Sequence, residues 1–272
     1  MSYATELAFA KNLAEEAGKI MRRYFRAEDI GTKSKEDHTP VTVADIKINS
    51  LVISRVKTAF PDDGVLGEEE SFEDQRDRIW VVDPIDGTIP FSLSIPVSTF
   101  MLALVNKKDG QPVVAVVYDP YLGHLYSAVK GEGAFLNDIK LQASPSAGLI
   151  KGYGTLYGSV IKDETINYVP GEVIEKLRTQ HTRIININSG GYTAVKVAAG
   201  EFIFVAMGNG LAWDSAAPAL IVEEAGGVVT DLAGRRRRFD QTGRDCLLAA
   251  NQAVADEFLK LVKASSHENS GH

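Results

Sequence analysis

Asp83-Pro84-Ile85-Asp86-Gly87-Thr88 carries the densest chemistry of the chain. Two carboxylates stand three residues apart, directly after the apolar run Ile79-Trp80-Val81-Val82, and a glycine and a hydroxyl follow at once. Carboxylates held this close repel each other unless a cation sits between them. Hard divalent ions such as Mg²⁺ take such oxygens and keep positions open for water and phosphate. Gly87 lets the backbone approach a bound anion, and the N–H groups of Gly87 and Thr88 can point at it. The segment reads as a metal-and-phosphate site at the end of a buried strand.

Three further segments can bring carboxylates to the same place. Asp45 opens a helix. Leu66-Gly67-Glu68-Glu69-Glu70 follows the turn Pro61-Asp62-Asp63-Gly64. Asp214, in Ala212-Trp213-Asp214, opens another helix. Each carboxylate sits where an element begins or ends, which is where sites are built. Each also has a plainer reading on its own. Asp45 is then a helix-terminus acid, and Asp214 an N-cap with Pro218 in the first turn. The glutamates form a solvated turn, and Asp83 to Thr88 a turn with local Asx hydrogen bonds.

The elements that must position these groups follow from the apolar spacing. Thr5 to Arg26 places Leu7, Leu13, Ala17, Ile20, Tyr24 and Phe25 on one face of an amphipathic helix. A second helix begins at Thr42, where Thr42-Val43-Ala44-Asp45 has capping-box spacing, and Pro61 ends it. Val97 to Val105, Val113 to Tyr118 and His124 to Val129 read as strands joined by short turns, an antiparallel meander. Beyond Gln142 the pattern alternates. Strands are expected at Leu149–Thr155, Arg183–Ile187, Phe202–Ala206 and Cys246–Ala250. Helices are expected at Val173–Thr179, Thr193–Ala199, Asp214–Ala225 and Val254–Lys263. Residues 1–142 thus form one half and 143–264 an α/β half, with the site in the cleft between them. Residues 265–272 read as a polar, disordered tail.

The chain has 272 residues, 44% of them apolar, enough for a sizeable core. Its net charge of −7 argues against non-specific binding to nucleic acid or anionic membranes. An acidic protein acting on a phosphate needs a bound cation to invert the local field. Cys246 is the sole cysteine, so neither an internal disulfide nor a thiolate cluster forms. No signal pattern or membrane-length apolar run appears, and the expected location is the cytoplasm. Arg235 to Arg238 reads as a solvated turn rather than a nucleic-acid contact. His38 reads as exposed. Gly152-x-Gly154-x-x-x-Gly158 lacks dinucleotide-binding spacing.

Asp83 to Thr88, Gly67-Glu68-Glu69, and Trp213-Asp214 with Glu224-Ala225-Gly226-Gly227 resemble motifs of the inositol monophosphatase family. Thr39 to Asp45 and Gly131-Glu132-Gly133-Ala134-Phe135 extend the likeness, which runs from about residue 5 to 262. That family belongs to the lithium-sensitive, Mg²⁺-dependent phosphatases, with fructose-1,6-bisphosphatases as relatives. The resemblance implies an α/β (α+β) fold, a five-layered α-β-α-β-α sandwich. Its N-terminal sheet should be antiparallel, its C-terminal sheet mixed, and the assembly a homodimer. By matching motif positions, Glu68, Asp83 and the Ile85 carbonyl hold a first Mg²⁺. Asp83, Asp86 and Asp214 hold a second, and Glu68 with Asp45 a third, weaker one. Thr88 and Glu68 orient the attacking water and take its proton, and Asp86 helps protonate the leaving alkoxide. The Gly87 and Thr88 amides cradle the phosphate. Lys35 is placed near it, with Lys33 as its rival, and Gly191, Tyr192 and Thr193 line the substrate pocket.

The chain also departs from that pattern. Ile89-Pro90-Phe91 stands where the family commonly has Asn-Phe, and Pro90 removes a backbone donor. Inositol-recognising members carry a glutamate shortly before the Trp-Asp pair, whereas Ala206-Met207-Gly208-Asn209-Gly210 has no carboxylate. Tyr192 replaces a small residue and narrows the pocket, or stacks on a ring. The implied activity is phosphomonoester hydrolysis of small polyol or sugar phosphates such as myo-inositol 1-phosphate, with histidinol phosphate next. Fructose 1,6-bisphosphate and 3′-phosphoadenosine 5′-phosphate are further alternatives. A haloacid-dehalogenase mechanism needs an Asp-x-Asp pair on the first βα unit, and here two residues separate the aspartates. A non-enzymatic binding role would have only the arginine run to support it.

Overall fold

A computed structural model describes residues 3–27, 33–34, 40–157, 160–161, 164–165, 171–208, 210–241 and 245–268. The chain opens with α1 (Ala4–Tyr24), the short strands β1 (Lys33–Ser34) and β2 (Pro40–Val41), and α2 (Val43–Ala59). Then come β3 (Gly64–Gly67), β4 (Arg78–Asp86), α3 (Thr88–Ser92), β5 (Thr99–Asn106), β6 (Gln111–Asp119), β7 (His124–Val129), β8 (Gly133–Leu136) and β9 (Ile139–Lys140). The second half runs β10 (Tyr153–Tyr157), β11 (Val160–Ile161), β12 (Glu164–Thr165), α4 (Gly171–Thr179), β13 (Arg183–Ile184) and α5 (Gly190–Ala198). It ends with β14 (Phe204–Met207), α6 (Ala212–Glu224), β15 (Val228–Thr230), β16 (Cys246–Ala249) and α7 (Gln252–Glu268).

Strands β3 to β9 form one sheet in chain order. The other large sheet has the order β13-β10-β14-β16-β15 and mixes parallel and antiparallel pairs. Helices α1 and α2 cover one face of the first sheet, while α5 and α6 lie between the sheets. Helices α4 and α7 pack together on the far side, with α7 against β16. The result is the α-β-α-β-α layering.

The first sheet is buried on both faces, so its strands read as continuous apolar runs rather than alternating ones. Trp80, Val82, Phe100, Leu102, Val114 and Val116 face α1 and α2. Ile79, Val81, Met101, Ala103, Ala115 and Val117 face α6 and the second sheet. Helix α6 is therefore apolar all round from Ala216 to Val222, as the middle of a helix between two sheets must be. Its Ala212, Ala216, Ala217 and Ala219 are buried. On the other face, a Cβ on Gly18 would stand 2.4 Å from the Tyr118 ring, so only glycine lets α1 sit this close to β6.

Three expectations are corrected here. The first sheet is antiparallel except for β3, which runs parallel to β4. After β3 the chain turns back, and Phe72 makes an antiparallel bridge to Val65. Helix α6 starts two residues before Asp214, so Pro218 lies beyond its first turn. There the proline cannot donate to the Asp214 carbonyl. The tail begins later than expected, because α7 continues to Glu268. Its Ser265 is buried, with Oγ donating to the Leu261 carbonyl at 3.1 Å.

The arginine run is solvated only in part. Arg235 and Arg236 are exposed, but Arg237 is 1% exposed. Its guanidinium donates to the carbonyls of Gly210 (2.6 Å) and Asp245 (3.2 Å). Arg238 is spent on Asp240 and the Lys107 carbonyl. Arg237 therefore pins the loop that leads into α6. Arg237→Ala leaves those buried carbonyls unpaired and opens a void, at an expected cost of about 3 kcal/mol in urea unfolding. A loss below about 0.5 kcal/mol, the scale of a surface change, would mean the guanidinium holds nothing.

Candidate active site

Two features of the first sheet assemble the acids. Asp83 and Asp86 are three residues apart, and a regular strand would send them to opposite faces. The β4–β5 ladder shifts register between them, with Asp83 opposite Met101 and Asp86 opposite Thr99. The extra residue resets the alternation, so both carboxylates face the inner layer. Pro84 falls in this bulge, where a missing donor is tolerated. The second feature is the parallel β3–β4 pair. Its last register, Gly67 opposite Val82, makes Glu68 leave the sheet alongside Asp83. An antiparallel pair would have put the two at opposite ends.

Asp45 and Asp214 each occupy the third position of a helix. Asp45 Oδ2 accepts the Thr42 N–H at 2.8 Å, completing the capping box expected there. Asp214 Oδ2 accepts the Leu211 N–H at 2.9 Å in the same way. Asp83 Oδ1 accepts the Ile85 N–H at 3.0 Å. One oxygen of each acid is thus fixed to nearby backbone.

Asp86 differs, because it reaches across to the second half. Its Oδ1 accepts the Gly190 N–H at 3.0 Å. Its Oδ2 accepts the Gly191 N–H at 2.9 Å, the Thr99 hydroxyl at 3.3 Å and the Ser189 hydroxyl. The carboxylate docks on the start of α5, and Oδ1 keeps a lone pair for a further partner.

The four segments converge electrostatically. Burial first, then the charges of Glu68, Asp86, Asp214 and Asp45, raise Asp83 well above the carboxylate range. Burial, with Glu68 next, pushes Asp214 up to about 7. Burial pushes Asp45 up to about 7 as well, with Glu68 and Glu69 adding to it against the Thr42 hydrogen bonds. Asp86 is raised by burial, against its hydrogen bonds to Ser189 and α5.

These residues fit a hard divalent cation. Every donor is an oxygen, like charges crowd together, and Asp45 Oδ1 is buried with no hydrogen-bond partner among the described residues. Among those residues no group of three or more acids already stands in coordination geometry.

The turn at Gly87 and Thr88 has a backbone that suits glycine alone. Gly87 has φ 82°, and a Cβ there would stand 2.9 Å from the Ser189 Cβ, so a side chain is both strained and obstructed. Thr88 Oγ1 donates to the Ile85 carbonyl at 3.1 Å, leaving its lone pairs to accept from a water. Pro90 stands in the first turn of α3, where its absent N–H has no helical partner to lose.

The expected pocket residues part company. Gly191 and Thr193 are buried, the first donating to Asp86, the second to the carbonyls of Ser189 and Gly190. Among the described residues the Gly191 N–H and the Thr193 hydroxyl proton are both engaged. Tyr192 is half-buried beneath Lys196 Nζ, 5.4 Å from its ring centre. Lys35 and His38 lie outside the described residues.

The family model for inositol monophosphatases matches residues 3–267. The chain belongs to the inositol monophosphatase family. It is similar to a histidinol-phosphatase of Chlorobaculum parvum, 33% identical over 258 residues that cover 94% of this chain and 96% of that one. It is also similar to inositol monophosphatase 2 of Solanum lycopersicum, 33% identical over 268 residues covering 93% and 96%. A solved IMPase of Thermotoga maritima superposes with a TM-score of 0.84 at 29% identity, covering 97% of this chain and 99% of that one. The chain is thereby a phosphoric monoester hydrolase of a metal-dependent family.

Within this inositol monophosphatase family member, sequence spacing missed two supporting residues. Asn49 lies one turn after Asp45 on α2, and its Nδ2 donates to the Glu70 carbonyl at 2.8 Å, pinning the glutamate turn. The i, i+4 spacing from Asp45 was a usable signal. Ser189 caps α5 and donates to Asp86. Nothing local to residue 189 reveals a partner 103 positions away.

Proposed function

We propose that this protein is a Mg²⁺-dependent phosphomonoesterase of the cytoplasm that hydrolyses small polyol or sugar phosphates by direct attack of water. The observation that supports this is that Glu68, Asp86, Asp214 and Asp45 all act by their charges on buried Asp83, which adjoins the Gly87–Thr88 turn. Glu68, Asp83, Asp214, Asp45, Asp86 through Oδ1 and the Ile85 carbonyl would hold the ions, two or three of them. Bound there, divalent cations supply charge neutralisation for the phosphate and make a water acidic enough to attack. The Gly87 and Thr88 amides hold the phosphate oxygens. Thr88 Oγ accepts from the attacking water, and Glu68 takes its proton. Asp86 would help the leaving alkoxide gain a proton.

Histidinol phosphate is the second reading. It is favoured by the absence of a carboxylate in Ala206 to Gly210, which an inositol ring would use, and by the half-buried ring of Tyr192. Exposed Ile89, Leu93 and Ile95 flank the site and support a homodimer, which sedimentation tests.

The deciding measurement is phosphate release from myo-inositol 1-phosphate, histidinol phosphate, fructose 1,6-bisphosphate and 3′-phosphoadenosine 5′-phosphate. Release is expected with Mg²⁺, suppressed by chelator and inhibited by Li⁺. Release from none of them, in protein shown to be folded, would favour a binding role instead.

A further inference from the structure

The Gly87–Thr88 peptide is held from behind by a residue far along the chain. Ser98 stands immediately before β5 and is fully buried. Its Oγ donates to the Gly87 carbonyl at 2.9 Å. The next residue, Thr99, lies opposite Asp86 in the β4–β5 ladder, and its hydroxyl donates to Asp86 Oδ2 at 3.3 Å. Ser98 and Thr99 thus grip two consecutive residues of the site, Gly87 and Asp86. The Tyr121 hydroxyl also borders Ser98, but among the described residues it has no partner within hydrogen-bond distance. The single proton of the Ser98 hydroxyl is therefore committed to Gly87.

Strand alternation decides the direction of that pull. Along β5, Met101 and Ala103 face the layer between the sheets, whereas Phe100 and Leu102 face α1 and α2. Thr99 shares the side of Met101 and meets the Asp86 carboxylate there. Ser98 falls on the side of Phe100, away from the acids. A trans peptide points its C=O and its N–H in opposite directions, and the Gly87–Thr88 bond is trans. A Gly87 carbonyl drawn toward Ser98 therefore turns the Thr88 N–H toward the acids.

That N–H has no partner inside α3, because Thr88 is the first residue of the helix. The Gly87 carbonyl also accepts the Phe91 N–H at 3.0 Å, so both of its lone pairs are used. The helical bond alone is a weak restraint. Helix α3 has five residues, Pro90 brings it no N–H, and Ile89 and Leu93 are exposed. Gly87 has no Cβ to limit its own rotation. Ser98 ties the same carbonyl to the buried sheet.

We propose that Ser98 is a positioning residue. By holding the Gly87 carbonyl on the side away from the acids, its hydroxyl aims the Thr88 N–H at the phosphate oxygens of the substrate. This rests on the phosphomonoesterase reading above.

The test compares two variants with the parent. Ser98→Ala removes the donor but leaves the Gly87 carbonyl bonded to Phe91, so no buried group is orphaned and the fold should persist. Ser98→Cys fills the space with a much weaker donor, which separates the hydrogen bond from the volume. On whichever of the four esters above the parent hydrolyses fastest, Ser98→Ala should lose about tenfold in kcat/KM, and inhibition by inorganic phosphate should weaken by the same factor. Ser98→Cys should lose about threefold or more in both. The rise in melting temperature produced by Mg²⁺ without phosphate should match the parent's, since no acid has changed. A hydroxyl that only stabilised the fold would lower the melting temperature and leave the phosphate inhibition constant where it was. A change below about threefold in that constant for Ser98→Ala, or a Ser98→Cys protein equal to the parent, would overturn the proposal. If the parent releases phosphate from none of the esters, the phosphomonoesterase reading itself fails, and that outcome is separate because it needs no variant.

Discussion

Asp83→Asn should reduce kcat/KM by about 10³-fold or more while raising the melting temperature measured in chelator. Asp83 is the group on which the other acids converge, with Glu68, Asp86, Asp214 and Asp45 all acting on it. Asparagine has nearly the same shape, and its Oδ1 can still accept the Ile85 N–H that Asp83 now accepts at 3.0 Å. The backbone at the bulge should therefore keep its course. What disappears is one negative charge from a buried cluster of like charges, which relieves repulsion when no cation is present. The same change removes a donor shared by the expected ion sites. The stabilisation produced by adding Mg²⁺ should then shrink or vanish. Phosphate release and paired melting curves, with chelator and with Mg²⁺, give both readings. Retained activity would remove Asp83 from the machinery. A melting temperature that falls in chelator would show that the carboxylate stabilises the fold by its charge, contrary to the crowding seen here.

In chelator, stability should fall as pH rises from about 4 to about 7. Asp45 and Asp214 have folded-state values of about 7 against 3.8 for an ordinary aspartate. The folded state then binds more protons than the unfolded chain between those limits, so the slope of unfolding free energy against pH is negative there. The contribution is fully present below about 4 and is lost as pH rises through about 7. Its ceiling is on the order of 4 kcal/mol for each group at about 1.36 kcal/mol per unit. Other carboxylates slope the opposite way, so the informative quantity is the difference between the parent and Asp45→Asn or Asp214→Asn. Each variant should lose its own group's share of the decline. Protons and cations also compete for the same oxygens, so the Mg²⁺-induced rise in melting temperature should be larger at pH 8 than at pH 6. Parent and variants with parallel pH profiles would contradict the assignment.

Much of the site was legible because its signals are local. Thr42 and Asp45 are three residues apart, and a capping box is closed by residues that near. Asp83 to Thr88 follows an apolar run that only a buried strand explains. The meander from Thr99 to Val129 came from apolar runs punctuated by Gly110 and Gly123, and its strands lie where the runs lie. Other features had no local trace. Arg237 sits in a run of four arginines yet is buried, because its partners at Gly210 and Asp245 reach it only once α6 and β16 pack together. Thr193 looks like a pocket hydroxyl in sequence, but the first turn of α5 absorbs it.

The chain's own residue order determined which acids exist, that each stands at the edge of an element, and that oxygen ligands suited to a hard cation outnumber every other kind. Those are properties of composition and short spacing, set by covalent neighbours. The tertiary structure decided which acids meet. A single extra residue in β4 turns Asp83 and Asp86 to one face, and the parallel course of β3 delivers Glu68 beside them. The docking of α5 on Asp86 then binds the two halves into one cluster. Strand direction, register and helix docking are settled by burying apolar surface across the whole molecule, and no short window of sequence contains both partners of such a contact.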